Sequence, residues 1–424
     1  MNLAIRNGRV FDPSTGRDET ADIFIAQGRF AKAAPQDAEE IDASGLIVTA
    51  GFIDMHVHLR EPGMEHAETI ETGARAAAAG GFTTICCMPN TSPVNDNATV
   101  TSYIVERARN RAVVNVLPIG AITKGSEGNE LSKIGSMREA GIVAISDDGR
   151  PVMNARVMRR AMEFARSLDL TVINHCEDLH LSSGGDMHEG VHSNRLGLRG
   201  IPAAAEDVMV ARDILLAELT GARYHVAHLS TAHSAAMVAF AKGKGLPVTS
   251  ETTPHHFALT DAELGGYDSN YKMKPPLRTQ ADVDAMIEAL KSGAIDAIAT
   301  DHAPHAGSEK MREFESCPFG ILGLETAIGL SFECLVNIGH ISLMRMVELF
   351  TTGPAAVLKL DRGTLGEGAP GDVTLIDPGL DWIYDVNKSL SKSRNSPFHN
   401  RRFRGGPVAT VVNGTVVWRR ESIS

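Results

Sequence analysis

Residues 51–60 read GFIDMHVHLR, an apolar run that ends in two histidines separated by one residue. Side chains on a strand alternate between its two faces, so His56 and His58 share a face. Four further apolar runs end in a His or Asp, within the segments SDDG, NHCED, VAHLS and ATDHAPH, and place there Asp148, His175, His228 and Asp301. Imidazole and carboxylate groups together are suitable ligands for Zn²⁺ or a similar divalent ion. The pattern therefore predicts a metal site built at the ends of several strands.

Apolar strands alternate with helical stretches from about residue 51 to residue 358. The strand candidates are GFIDMHV, FTTICCM, VVNVLPIG, GIVAIS, LTVINH, RYHVAH, LPVTSE and AIDAIAT. Eight βα units in about 300 residues are typical of a (β/α)8 TIM-type barrel, an α/β fold. One helix, ARVMRRAMEFARSLD, is predicted to turn one stripe toward the barrel, formed by Val157, Ala161, Phe164, Ala165 and Leu168.

Both ends of the chain read as short strands separated by Gly and Pro turns, among them LAIRNGRVF, ADIFIAQGRF, GDVTLIDP and VATVVNG. A few strands at one terminus would be marginally stable alone, but the two ends could pair with each other. We therefore predict a small β-sandwich domain built from residues 1–50 and 359–424, beside a metal-dependent barrel of residues 51–358.

The composition excludes several classes of protein. With 43% hydrophobic and 22% charged residues in 424, the chain is expected to be globular. A net charge of -11 argues against nucleic-acid or anionic-membrane binding. Five scattered cysteines without CxxC spacing indicate reduced thiols. The N-terminal sequence lacks the pattern of a signal peptide, and no apolar run is long enough to span a membrane, so a cytoplasmic location is expected.

A pair of histidines on one strand has an alternative interpretation, because a buried histidine is commonly a hydrogen-bonded core residue. The strand ends that carry His175, His228 and Asp301 favour metal binding, since barrel active sites lie at the C-terminal ends of the strands. Chance alone would seldom place so many ligand-type residues at one rim.

Nine motifs occur in a fixed order along nearly the whole chain: HVHLREPG, CMPNT, SDDGRPVM, NHCED, HLST, ETTPHH, KMKPPLR, TDHAPH and PFGILGLET. In this order they resemble the dihydroorotases of the bacterial long-chain type, within the amidohydrolase superfamily. The resemblance implies a barrel with a β-sandwich from both termini. It also implies the interconversion of dihydroorotate and carbamoyl aspartate in pyrimidine synthesis.

The same resemblance assigns the ligands. His56 and His58 would hold one ion with Asp301, and His175 and His228 the second. Asp148 would bridge the two ions. Many relatives use a carboxylated lysine as the bridge, but GIVAISDDG contains none, and Asp148 is preferred to Asp147 because it adjoins the glycine. One or two Zn²⁺ per subunit are implied, with two expected, although such ligands also accept Mn, Co or Fe.

Catalysis and substrate binding are assigned on the same basis. Divalent ions make a water nucleophilic near neutral pH, which amide hydrolysis requires, and Asp301 would act as the general acid/base. The guanidinium of Arg60 is suited to a substrate carboxylate, with a rim salt bridge to Glu61 or Glu65 as the alternative. Further contacts are predicted at Asn90, Lys274, His305, Pro318, Phe319 and Gly320. Lys274 stands where the family commonly has Asn, so substrate preference stays open.

Three functions are compatible with these residues. The first is a dihydroorotase, and the second is a hydantoinase-like or allantoinase-like hydrolase of another cyclic amide. The third is a catalytically silent structural partner of aspartate transcarbamoylase, against which the complete ligand set argues. A small-molecule substrate and a homo-oligomer are expected, with aspartate transcarbamoylase as a further partner suggested by the family. The Gly-rich segment 178–202 is predicted to be a lid over the substrate.

Overall fold

The computed structural model describes residues 1–421. Its strands are β1 (Leu3–Asp12), β2 (Arg17–Ala26), β3 (Arg29–Ala31), β4 (Glu39–Asp42), β5 (Ile47–Ala50), β6 (Phe52–Val57), β7 (Phe82–Cys87), β8 (Asn115–Pro118), β9 (Ala144–Ile145), β10 (Thr171–Asn174), β11 (Met187–His188), β12 (Gly200–Ile201), β13 (Tyr224–Val226), β14 (Val248–Thr252), β15 (Ala297–Ile298), β16 (Val373–Ile383), β17 (Arg402–Val412) and β18 (Thr415–Arg419).

The α-helices are α1 (Ile70–Ala79), α2 (Ala98–Arg111), α3 (Ile134–Ala140), α4 (Ala155–Ser167), α5 (Val191–Leu196), α6 (Ala204–Thr220), α7 (Ala232–Gly243), α8 (Pro254–Ala258), α9 (Gln280–Ser292), α10 (Gly307–Lys310), α11 (Ala327–Ser331), α12 (Leu343–Phe350) and α13 (Thr352–Leu358). Short 3₁₀ turns occur at Lys124–Ser126, Asp261–Glu263, Ser269–Tyr271, Phe314–Ser316 and Val386–Lys388, and one π-helical turn at Phe332–Val336. No helix within residues 1–421 is long and apolar enough to cross a membrane.

The two ends of the chain meet in one eight-stranded sheet. Its order is β18-β17-β16-β5-β1-β2-β3, with β4 paired to β1. The junction lies between β5 and β16, which run antiparallel with Ala50 opposite Val373. Buried side chains such as Ile5, Ile25 and Val411 form a core of their own on this sheet. The pairing of the two termini, expected from their strand patterns, is therefore present. The last three residues of the predicted range 359–424 lie outside the described part of the chain.

A closed barrel of parallel strands forms the rest of the framework. Strands β6, β7 and β8 make one sheet, and β9, β10, β13, β14 and β15 make the other. Parallel bridges between Gly120 and Ile145 and between Val57 and His302 join the two sheets into a ring. Each of the eight predicted strand segments contains one of these strands. Helices lie between successive strands, as in a (β/α)8 barrel.

Small and medium apolar side chains fill the interior of the barrel. Met55, Cys86 and Ile173 lie on three of its strands and Ile119 and Ala227 directly follow two others, and all five pack in one buried cluster. The barrel is therefore a packed core and not a pore. The candidate site lies beyond this apolar core, at the C-terminal ends of the strands.

Helix α4 differs in one respect from its predicted orientation. Phe164 was expected to face the barrel, but it is 42% exposed. Met158 and Met162 are buried in its place, next to Ala161 and Ala165. At 100° per residue, positions 158, 161, 162 and 165 cluster on one side of the helix, and position 164 lies beside that stripe. The prediction for Phe164 was wrong because it relied on the apolar character of the side chain and gave too little weight to its angular position on the helix.

Glu325, where the barrel meets the segment 386–391, gives the fold a pH dependence. Its carboxylate accepts hydrogen bonds from Ser389 Oγ and from the backbone N–H of Leu390. Burial nevertheless raises the pKa of Glu325 to about 7. The folded state then keeps a proton between pH 4.5 and 7 that the unfolded chain releases, so the free energy of unfolding falls as pH rises through this window.

We therefore expect Glu325→Gln to flatten this pH dependence, with a gain on the order of 1–3 kcal/mol at pH 8 relative to wild type. Chemical denaturation at pH 5 and pH 8 measures the difference. Glu288→Gln, at an exposed residue paired with Lys291, is the control and should leave the pH dependence unchanged. Parallel curves for wild type and Glu325→Gln would contradict the expectation.

Candidate active site

The six predicted metal ligands lie together at the C-terminal ends of five barrel strands. His56 lies on β6 and His58 directly follows it. Strands β9, β10, β13 and β15 are each followed within three residues by one further predicted ligand. All six side chains are buried: His56, His58, Asp148, His175, His228 and Asp301. The barrel thus assembles residues that are up to 245 positions apart in the chain from the C-terminal ends of its strands.

These residues form two groups of potential ligands that share one carboxylate. His56, His58 and Asp148 form the first group, and Asp148, His175 and His228 form the second, with ligand atoms within 4.8 Å of one another. Asp148 Oδ1 lies 3.4 Å from His56 Nε2 and 3.7 Å from His228 Nε2. Asp148 Oδ2 lies 3.5 Å from His58 Nε2. Asp148 therefore belongs to both groups and could contribute an oxygen to each.

Asp301 completes the first group. Its Oδ1 lies 3.0 Å from His58 Nε2 and 3.5 Å from His56 Nε2. The neighbouring Asp147 points elsewhere, because its carboxylate accepts from the backbone N–H groups of Ile122 and Thr123 and from Thr123 Oγ1. Of the two adjacent aspartates, the barrel thus brings only Asp148 among the histidines.

The charges and unsatisfied atoms of the site fit a cation. His56 Nε2 and Asp148 Oδ1 are buried and have no hydrogen-bond partner within residues 1–421. Burial disfavours the charged form of Asp148, yet the positive charge of His56 holds the pKa of Asp148 well below its ordinary value. Burial likewise disfavours charge on His56, but Asp148 raises the pKa of His56 well above its usual range. A divalent ion would supply this positive charge and bind the unsatisfied atoms.

Two of these residues have an unusual backbone conformation. His228 and Asp301 have φ values of 34° and 47°. Residues other than glycine rarely adopt this left-handed region, and its cost of about 1–3 kcal/mol is typical of functional sites. The conformation turns both side chains from the strand ends into the cluster.

Three further side chains orient the histidines and were not predicted in this role. Glu251 Oε1 lies 2.8 Å from His56 Nδ1, and Glu177 Oε2 lies 2.8 Å from His175 Nε2. Asn90 Oδ1, predicted as a substrate contact, accepts from His58 Nδ1 at 2.8 Å. Such partners of a metal-binding histidine fix the tautomer and the ring orientation. A sequence signal existed for Glu251, because it ends the strand segment LPVTSE at the same rim.

Glu251→Gln should weaken metal binding by about 10–100-fold, the usual effect of removing such a partner. Glu251 is fully buried between His56 and His225, and although burial raises its pKa, the imidazoles of His225 at 3.3 Å and His56 at 2.8 Å lower it to about 2. The amide would keep the shape but lose the charge that orients His56. Metal retained after dialysis against a chelator measures the effect, and retention equal to wild type would rule out this role.

The predicted substrate residues surround one side of the cluster. Arg60 Nε donates to the carbonyl oxygen of Pro304, and no carboxylate within residues 1–421 lies within 4.0 Å of its guanidinium. The alternative salt bridge with Glu61 is absent, because Glu61 pairs with Arg107 at 2.6 Å. A half-buried cation without a carboxylate partner is suited to bind an anionic ligand. Burial lowers the pKa of Arg60, although nearby carboxylates oppose this.

The turn from Pro318 to Gly320 lies against the same side. His305 Nε2 is 2.8 Å from the carbonyl oxygen of Phe319 and 3.4 Å from Arg60 Nη2. Gly320 has φ +124°, and a Cβ there would lie 2.6 Å from the Cβ of Ala303. Only glycine therefore fits at the end of this turn.

Lys274 lies between Glu177 and the ring of Phe319. Its Nζ is 2.7 Å from Glu177 Oε1 and 4.8 Å from the centre of the Phe319 ring. Beside Lys274 and Phe319 an open cavity of about 490 Å³ is lined largely by residues 179–186 and Arg199. The segment 178–202 contains β11, α5 and β12, and its Asp186 pairs with the buried Lys272 at 2.9 Å. That this segment closes over a substrate stays a prediction.

Solved structures with the same architecture identify the class. The L-hydantoinase (dihydropyrimidinase) from Arthrobacter aurescens superposes with a TM-score of 0.89 at 25% identity, covering 100% of this chain and 97% of that chain. It is a TIM-barrel amidohydrolase. The barrel and its shared His/Asp cluster accordingly define a hydrolytic enzyme of the amidohydrolase type.

Sequence comparison gives the family. The family model described as "Dihydro-orotase-like" matches residues 45–234. The dihydroorotase of Solibacter usitatus (strain Ellin6076) is 68% identical over 100% of this chain and 99% of its own length. The dihydroorotase of Citrifermentans bemidjiense is 54% identical over 99% of this chain and 100% of its own. The chain belongs to the dihydroorotase family.

Proposed function

We propose that the chain hydrolyses the ring amide of L-dihydroorotate to N-carbamoyl-L-aspartate, reversibly, in the synthesis of pyrimidines. The observation that carries this proposal is the carboxylate of Asp148 shared between two histidine pairs. On the same rim lies the guanidinium of Arg60, which has no carboxylate partner within residues 1–421. Full-length identity of 68% to a dihydroorotase supports the choice of substrate.

Two Zn²⁺ ions are proposed as the cofactor. His56, His58 and Asp301 would hold one ion, His175 and His228 the other, and Asp148 both. Bound here, divalent ions lower the pKa of a water to near neutrality and polarise an amide carbonyl. The mixed imidazole and carboxylate set supports zinc, and manganese, cobalt and iron are the alternatives.

The residues of the chain would supply orientation and proton transfer. Asp301 would accept the proton of the attacking water and pass it to the departing ring nitrogen. In the reverse direction it would remove a proton from the ureido nitrogen as that atom attacks the carboxylate carbon, and would pass this proton to the carboxylate oxygen that departs as hydroxide. Arg60 would hold the carboxylate of the substrate, and His305 would fix the turn that faces the ring. Burial lowers the pKa of His305 to about 3, so this imidazole stays neutral and can donate a single hydrogen bond.

The ends of the chain have a proposed role in the domain structure. We assign residues 1–50 and 359–424 to one composite β-sandwich domain and residues 51–358 to the catalytic barrel. The terminal sheet has an apolar core of its own, which supports this division, while Phe11, Ile47 and Phe403 of the same sheet pack against the barrel. A cytoplasmic location is proposed as well, and the five free cysteines are in keeping with a reducing compartment. Assembly as a homo-oligomer, or with aspartate transcarbamoylase, stays a prediction.

Turnover of L-dihydroorotate beside hydantoin and allantoin tests the proposal. The purified chain is reloaded with Zn²⁺ and assayed with and without aspartate transcarbamoylase. Dihydroorotate should be the preferred ring by a wide margin. Preference for hydantoin or allantoin would move the chain to the second class of cyclic-amide hydrolase, whose fold it shares. No turnover of any ring with the partner present would favour the silent structural role.

A further inference from the structure

A row of polar contacts leads from the second histidine pair to the turn at Phe319. Glu177 uses one carboxylate oxygen for His175 Nε2 at 2.8 Å and the other for Lys274 Nζ at 2.7 Å. The side chain of Glu177 is 8% exposed and that of Lys274 is 28% exposed. Lys274 Nζ also lies over the ring of Phe319. The ammonium of the buried Lys272 makes a second cation–π contact with this ring, at 4.5 Å. Lys274 therefore already has an anionic partner and an aromatic one.

The position of Glu177 matters because His175 faces the cluster with a different atom from the other histidines. His175 directs Nδ1 toward His228 and Asp148, whereas His56, His58 and His228 direct Nε2. A carboxylate only accepts hydrogen bonds, so Glu177 requires the proton of His175 to lie on Nε2. The lone pair of Nδ1 is then free to bind an ion.

Lys274 is placed to keep Glu177 in this orientation. A carboxylate at the end of a flexible side chain can rotate away from one partner unless its second oxygen is also held. The ammonium holds that oxygen, and Phe319 limits the positions that the lysine side chain can take. Binding of a substrate carboxylate by Lys274 would require it to leave or share Glu177. Among the described residues, no carboxylate competes for Arg60 in this way.

We propose that Lys274 is a positioning residue, which acts through Glu177 on the tautomer and orientation of His175, and does not serve as the anchor for the substrate carboxylate. This inference rests on the proposed function for its kinetic test. This role accounts for a lysine at position 274, where the family commonly has Asn.

A double-mutant cycle of Lys274→Met, Glu177→Gln and the combined variant separates the two roles. We expect Lys274→Met to lower kcat by about 10-fold, within the usual effect of such outer partners, while KM changes by less than about 3-fold. The combined variant should be no worse than Glu177→Gln alone, because both changes break the same chain of contacts. Lys274→Arg should restore most of kcat.

Two reference variants calibrate the cycle. Arg60→Met should raise KM strongly, as expected for a carboxylate anchor. Lys32→Met removes a lysine from the exposed ion pair with Glu367 in the terminal sheet and should leave kcat and KM unchanged. A rise in KM of about 10-fold or more in Lys274→Met, additive with Glu177→Gln, would overturn the proposal.

A spectroscopic reading does not depend on turnover. The visible absorption bands of the Co²⁺-loaded protein report the ligand geometry around the ion. They should shift in Lys274→Met and in Glu177→Gln in the same sense, return in Lys274→Arg, and stay unchanged in Arg60→Met and Lys32→Met. Unchanged bands in Lys274→Met would overturn the proposal even if no ring were turned over. If the wild-type protein did not turn over dihydroorotate but the variants gave the expected band shifts, the proposed function would be rejected and the role of Lys274 would stand.

Discussion

Asp301→Asn is expected to lower turnover of dihydroorotate by about 10³-fold while the chain keeps its metal, because general acid/base catalysis contributes about 10²–10⁴-fold. The amide retains an oxygen that can remain near His56 and His58, which Asp301 Oδ1 approaches at 3.5 and 3.0 Å. It cannot accept and return a proton near neutral pH. The ligand geometry is thus largely preserved while the proposed proton carrier is removed.

The experiment needs both readings on the same preparation. The metal content per chain is measured after gel filtration, and kcat is measured in the hydrolytic and the synthetic direction. Both directions should fall by the same factor, since one residue carries the proton each way. Asp169→Asn, at an exposed residue paired with Arg223 and Lys359, is the matched control and should change neither reading. Retained turnover would remove Asp301 from the acid/base role, and loss of metal would make its ligand role sufficient to explain the defect.

Much of the barrel could be predicted because its signals are local. Each strand is a short apolar run, and five of the eight end at or just before a His or Asp. The buried face of α4 was predicted less accurately, because Phe164 is apolar but lies beside the buried stripe of Met158 and Met162. Side-chain character alone does not fix which face of a helix is buried when small and large apolar residues are interspersed.

The partners of the histidines could not be predicted in the same way. Glu251 meets His56 across 195 positions of the chain, and Lys274 meets Glu177 across 97. These pairings depend on how strands and loops from distant parts of the chain come together at the rim of the barrel, which a single sequence does not state. The left-handed backbone of His228 and Asp301 is likewise set by the surrounding structure and not by residue type. Residue type identified the ligands, whereas their orientation follows from the tertiary fold.

The shared carboxylate makes Asp148 the most sensitive position of the site. Its two oxygens lie within 3.8 Å of ligand atoms on four histidines: His56, His58, His175 and His228. Asp148→Asn keeps the size of the side chain but removes the negative charge that both groups of ligands share. We expect the metal content to fall below one ion per chain after dialysis, and turnover to fall by about 10⁴-fold or more, because the activation of water depends on the ions.

Asp147→Asn is the adjacent comparison, since its carboxylate binds Thr123 and backbone N–H groups and not the histidines. It should lower stability while the metal content of the folded fraction stays the same, which separates loss of the site from loss of the fold. Retention of two ions by Asp148→Asn would mean that the histidines and Asp301 suffice to hold them. Asp148 would then affect catalysis through the spacing of the ions and not through their binding. A fall in turnover without a loss of metal would reveal this role.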